Sequence, residues 1–133
     1  MIECMIMGDS IAHGVARMRP QCARETQVGI NTRDFSRRWV QPVSAQHVLI
    51  SLGSNDVGVP NLEHHLQQVR DRVVQGEVTW LLSANNPLAA QQVQALARAR
   101  GDRVIHVRQV VGPDGVHPST AGYLRLNQMW RPL

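Results

Sequence analysis

Ser10 follows a short apolar run, in Met7-Gly8-Asp9-Ser10, and Asp114-Gly115-Val116-His117-Pro118 lies near the other end of the chain. A serine hydroxyl is a weak nucleophile until a base takes its proton, and an imidazole serves as that base when its tautomer is held. An aspartate three residues before a histidine, in a tight turn, suits this purpose because it can hold Nδ1–H while Nε2 faces a serine. Between these segments, Gly53-Ser54-Asn55-Asp56 offers a side-chain amide donor for negative charge on a reacting oxygen. Each segment alone has a plainer reading. Ser10 reads as a helix N-cap, with Asp9 tying down the turn. The Gly53 and Asp114 segments read as polar turns, and Gly29 as a common strand-end glycine.

The elements that must position these residues alternate along the chain. Strands are expected over 2–7, 26–29, 47–52, 78–84 and 104–107. Ile11, Val15 and Met18 mark a helix stopped by Pro20, and Phe35 and Trp39 a short one before Pro42. Leu62, Leu66, Val69 and Val73 mark an amphipathic helix ending at Gly76. Asn86-Pro87 reads as the N-cap and first turn of a helix carrying Ala89, Val93 and Leu96 inward and ending at Gly101. Pro118-Ser119 opens a last helix with Tyr123, Leu126 and Trp130 on one face. Five strand–helix repeats favour an α/β fold, a parallel sheet sandwiched between helices. In such a sheet ligands bind beyond the carboxyl ends of the strands, near the point where strand order reverses. Ser10, Gly29, Asn55, Asp114 and His117 all follow strands and therefore fall on that one edge.

The chain of 133 residues suffices for one domain with a real core, taken as 1–133. Hydrophobic residues make up 43% and aromatics only 4%, so the core must be built from aliphatic side chains. The formal net charge is +4, and every one of its 14 basic residues is an arginine. These arginines are scattered, without the basic cluster and interleaved aromatics of a nucleic-acid surface. Cys4 and Cys22 set no disulfide framework; Cys4, inside the first apolar run, is expected as a buried reduced thiol. No stretch is long enough to span a membrane, and the first residues lack a signal-peptide pattern, which points to a cytoplasmic or assembly-associated protein.

The chemistry-bearing segments resemble the four blocks of the SGNH hydrolases, the GDSL-type esterases and lipases. Gly8-Asp9-Ser10 resembles the first block, Gly29 the second, Gly53-Ser54-Asn55-Asp56 the third and Asp114-Gly115-Val116-His117-Pro118 the last. The resemblance implies a three-layer, flavodoxin-like α/β/α sandwich around a five-stranded parallel sheet. It implies Ser10 as nucleophile, His117 as base and Asp114 as the acid of the triad. It implies the Ser10 and Gly29 backbone N–H groups and the Asn55 side chain as the oxyanion hole. Two departures stand out: Ile11 replaces the leucine of the GDSL name, and Val28-Gly29-Ile30-Asn31-Thr32 lacks the second glycine often found in that block.

The expected activity is hydrolysis of a short-chain ester through a serine ester intermediate, with an O-acetylated saccharide as the expected substrate, because short loops leave an open site. No metal or cofactor is required. Adjacent His64 and His65 diverge on a helix and do not share an ion. Asn85, Asn86, Arg33 and Asp34 lie near the same edge, with helix capping the first reading for Asn86 and solvated loop positions for Arg33 and Asp34. Three other classes fit the fold: a non-catalytic glycan- or protein-binding module, an acyltransferase using the same serine, and a flavin binder. The binding module has no need of the Ser10, Asp114 and His117 set.

Overall fold

The computed structural model describes residues 1–130. These form five strands and five α-helices in the order β1 (Ile2–Gly8), α1 (Ser10–Arg17), β2 (Ala23–Thr26), α2 (Thr32–Arg38), β3 (Val43–Ser51), α3 (Leu62–Asp71), β4 (Val73–Leu82), α4 (Pro87–Arg100), β5 (Arg103–His106) and α5 (Thr120–Met129). The strands make one sheet in the order β2-β1-β3-β4-β5, and every pair is parallel. This is the flavodoxin-like doubly wound order, with its reversal between β1 and β3. None of the described helices is long and apolar enough to cross a membrane.

Successive side chains of the central strands feed two cores, as a strand's period of two requires. Met7, Val48, Ile50, Trp80 and Leu82 pack with Phe35, Leu66, Val69 and Val93 of α2, α3 and α4. Cys4, Ile6, Leu49 and Leu81 pack with Ile11, Val15 and Leu126 of α1 and α5. The near-continuous apolar runs of β1, β3 and β4 follow from burial on both faces.

Some local signals translate directly. Asn86 caps α4, its Oδ1 accepting from Ala89 N–H at 3.2 Å, with Pro87 in the first turn and Gly101 at the C-terminus. Ser119 caps α5, accepting from Gly122 N–H at 3.0 Å. Others do not. The second strand lies at Ala23–Thr26 rather than 26–29. Its Ala-Arg-Glu-Thr sequence has no apolar run because it is an edge strand, placed by pairing with β1 at Met5↔Ala23. α3 stops at Asp71, and Gly76, expected as its end, lies inside β4. A Cβ there would sit 2.3 Å from the Ala45 carbonyl oxygen, so this glycine serves a close approach of strands beside an irregular register, not a helix terminus.

The cysteines also differ from expectation. Cys4 and Cys22 form a disulfide, with Cα atoms 4.8 Å apart. Cys22 immediately precedes Ala23, the partner of Met5, so the strand register sets the two cysteines opposite one another. Linear spacing carries no trace of that register.

Candidate active site

At the end of β1 the chain turns sharply into α1. Gly8 has φ +137°, and a Cβ there would fall 1.9 Å from the Ser51 carbonyl oxygen of β3, so only glycine fits. Asp9, not Ser10, is the N-cap: its Oδ1 accepts from Ile11 N–H at 3.0 Å and from Ser51 Oγ–H at 2.9 Å. Its own N–H donates to the Ser51 carbonyl at 3.0 Å. Asp9 is fully buried, and that burial pushes its carboxyl up to about 6, against the opposing pull of the bonds from Ser51, Ile11 and Ala12. Ser10 is thereby placed as the first residue of α1, where the first-turn N–H groups have no partner within the helix.

The loop after β5 returns to this point. Asp114 Oδ1 accepts from the N–H groups of Val116 and His117, each at 2.8 Å, closing a tight turn. Its Oδ2 lies 2.7 Å from His117 Nδ1, and His117 Nε2 lies 2.9 Å from Ser10 Oγ. The His117 bond, followed by the two backbone bonds, holds the Asp114 carboxyl down at about 2. Both side chains stay open to water, 46% exposed for His117 and 54% for Asp114. His117, 107 positions along the chain from Ser10, is thus brought into one hydrogen-bonded series with it, Ser10–His117–Asp114.

Gly29 occupies the third position of a turn closed by the Ile30 N–H on the Gln27 carbonyl, and the Gln27 N–H donates to the Gly8 carbonyl at 3.0 Å. Asn55 follows β3 and donates one Nδ2–H to the Ile30 carbonyl at 3.0 Å. An amide carries two such hydrogens, so one donor remains. Asn85 donates to the Ser54 carbonyl, and Asn86 to that of Gly53, at 3.1 Å each; both brace the Asn55 loop from α4's side. Arg33 and Asp34 lie in α2 and contact each other at 3.5 Å.

Two structural contributors have partners that no local signal discloses. Ser51 bonds Asp9 across the β1–β3 ladder, and Asp56 receives the Thr32 N–H at 2.7 Å and the Thr32 hydroxyl at 2.6 Å. The acidic residue after Asn55 was visible in sequence; its partner 24 residues away was not. His13 finds Thr26, with Nδ1 3.1 Å from Oγ1.

No family model matches the chain, and no curated protein matches it. Among solved structures it is similar to a protein assigned to the G-D-S-L lipolytic family from Desulfitobacterium hafniense, with a TM-score of 0.65 and 14% identity over 94% of this chain and 95% of that one. It is also similar to a carbohydrate esterase family 3 protein from Talaromyces cellulolyticus, with a TM-score of 0.54 and 16% identity over 97% and 98% of the two chains. At these identities the likeness shows the fold alone, a three-layer α/β/α sandwich around a five-stranded parallel sheet, as expected from the sequence.

Proposed function

We propose that the chain is a serine esterase that removes short acyl groups, acetyl above all, from hydroxyls such as those of a saccharide. The observation that carries this reading is the hydrogen-bonded series Ser10 Oγ–His117 Nε2 at 2.9 Å and His117 Nδ1–Asp114 at 2.7 Å. With Nδ1–H held by the carboxylate, Nε2 is free to accept the Ser10 proton as Oγ attacks the ester carbonyl. The carbonyl oxygen becomes an oxyanion, met by the Ser10 and Gly29 N–H groups and the remaining Asn55 Nδ2–H. Collapse of the tetrahedral intermediate breaks the bond to the leaving alkoxide, which takes its proton from His117. Water then attacks the acyl-serine, gives its proton to His117, and the acid departs as Ser10 recovers its hydrogen. The half-exposed triad favours a small acyl group on a bulky alcohol over a long chain that needs a deep tunnel. The two structural relatives, one assigned to a lipolytic family and one to a carbohydrate esterase family, agree with ester chemistry on this fold.

A series of chromogenic esters of rising acyl length, run on wild type and Ser10→Ala, tests the reading. Acetyl is expected to turn over fastest. Ser10→Ala is expected to lose both turnover and labelling by a fluorophosphonate while staying folded. Turnover or labelling retained in Ser10→Ala removes the serine mechanism, and faster turnover of long-chain esters removes the acetyl preference.

A further inference from the structure

Besides the Ser10 N–H, the donors of the proposed oxyanion hole come from two loops, 27–31 after β2 and 52–61 after β3. β1 lies between β2 and β3 in the sheet, so these loops flank Ser10 on either side. Anything that joins them crosses the carboxyl end of β1. Two connections do so, from adjacent residues and in opposite directions. Asn55 donates to the Ile30 carbonyl at 3.0 Å, and Thr32 donates its N–H and its hydroxyl to the two oxygens of Asp56 at 2.7 and 2.6 Å. Thr32 is fully buried and Asp56 is 4% exposed. Ile30 and Phe35, buried in the core beneath, anchor the same loop.

Burying a carboxylate is costly, and two short bonds offset that cost without making it a cheap way to hold loops together. What a hydrogen-bonded clasp adds over an apolar contact is direction. With one Asn55 hydrogen committed to Ile30, the amide plane is set and its second hydrogen points along one line. With both Asp56 oxygens committed to Thr32, the residue beside Asn55 cannot slide against the Gly29 turn. Oxyanion donors accelerate a reaction only when they are already aimed at the place where charge develops. The acid–base side of this site lies open to water, so its oxyanion side must keep its aim through bonding.

We infer that Asp56 and Thr32 are positioning residues that hold the Asn55 and Gly29 donors in register over Ser10. The inference rests on the esterase reading for its catalytic consequence, though not for the clasp itself. Thr32→Val removes the hydroxyl donor at nearly constant volume, Thr32→Ser keeps it, and Asp56→Asn is a harsher probe of the same contact. With a chromogenic acetyl ester, Thr32→Val is expected to lower kcat by about 10- to 100-fold with KM within about twofold, as for a sub-ångström loss of alignment. Thr32→Ser is expected to keep most of kcat. In an Asn55→Ala background, where only the Gly29 donor is left to misalign, Thr32→Val is expected to lower kcat by clearly less than it does in the wild type, the signature of two residues acting partly through one effect. Hydrogen exchange supplies a readout independent of activity: in Thr32→Val, residues 28–32 and 53–56 are expected to exchange faster while 112–118 are unchanged. A Thr32→Val protein with wild-type kcat and only a lower melting temperature, or a loss additive with Asn55→Ala, overturns the positioning role. Unchanged exchange overturns the clasp. Absence of Ser10-dependent turnover in wild type overturns the esterase reading instead, with exchange still reporting on the clasp.

Discussion

Asp9 and Asp114 flank the same serine and are driven in opposite directions. Asp9 is buried beneath the nucleophile turn, and loss of hydration pushes its carboxyl up to about 6. Asp114 stands in an exposed turn, and its bonds to His117 and Val116 hold it at about 2. The site thus has two halves of different build. The nucleophile and oxyanion half is braced from below by buried polar contacts: Asp9 with Ser51, and Asp56 with Thr32. The acid–base half sits on the return loop, held by local bonds within Asp114–His117 and by the Val111↔Pro118 bridge at its base. One half is braced from a buried layer because its chemistry is donation from fixed N–H groups, although Gly29 and Asn55 themselves reach the surface. The other must shuttle protons and leaves its carboxylate in water, where it stays ionised.

The largest expected effect falls on the exposed half. Asp114→Asn replaces an acceptor at His117 Nδ1 by a group that can donate, favouring the wrong tautomer. A fall in kcat of up to about 10⁴-fold is expected at neutral pH with the fold intact. A fall smaller than about tenfold means that the open loop does not orient the imidazole through this carboxylate.

Breaking the Cys4–Cys22 bridge tests whether stability and site are separable. Cys4 lies four residues before Gly8, on the order of 13 Å along an extended strand. Cys22→Ser, paired with Cys4→Ser, is expected to cost about 3 kcal/mol in urea unfolding, in keeping with a loop of this size, and to leave kcat/KM within about twofold. A large loss of kcat/KM at full foldedness means that the bridge positions the Ser10 turn as well.

The smallest effect is a pH signature of the two carboxylates. Asp9, raised from 3.8 to about 6, binds in the folded state a proton that the unfolded chain has released, so its contribution to stability declines as pH rises between these values. Asp114, lowered from 3.8 to about 2, contributes stability that is present above 3.8 and lost as pH falls toward 2. Urea midpoints between pH 2 and 7 are expected to show the first slope flattened in Asp9→Asn, and the second flattened in Asp114→Asn. An unaltered slope in Asp9→Asn means that the buried carboxyl does not titrate there.

Much of this organisation was legible from local patterns. The β1, β3 and β4 runs are apolar because both faces are buried. The Asn86-Pro87 start and Gly101 end of α4 are written in capping chemistry. Asp114–His117 is a turn of four residues whose Asp114 side-chain bonds all fall within it. β2 was displaced because an edge strand needs little apolar content and takes its place from β1. Gly76 looked like a helix stop because the feature it serves, the Ala45 carbonyl, is 31 residues away.

By itself, the sequence determined the residue types and turns capable of chemistry, the alternation of strand and helix, and the single sheet edge on which Ser10, Gly29, Asn55 and His117 emerge. These depend on interactions among near neighbours or on hydrophobic periodicity. Only the tertiary structure decided that His117 Nε2 meets Ser10 Oγ, that Cys4 faces Cys22, and that Asp56 receives both hydrogens of Thr32. Those contacts are set by strand register and by which loops flank β1, and register is a property of packing two strands together, not of either strand alone.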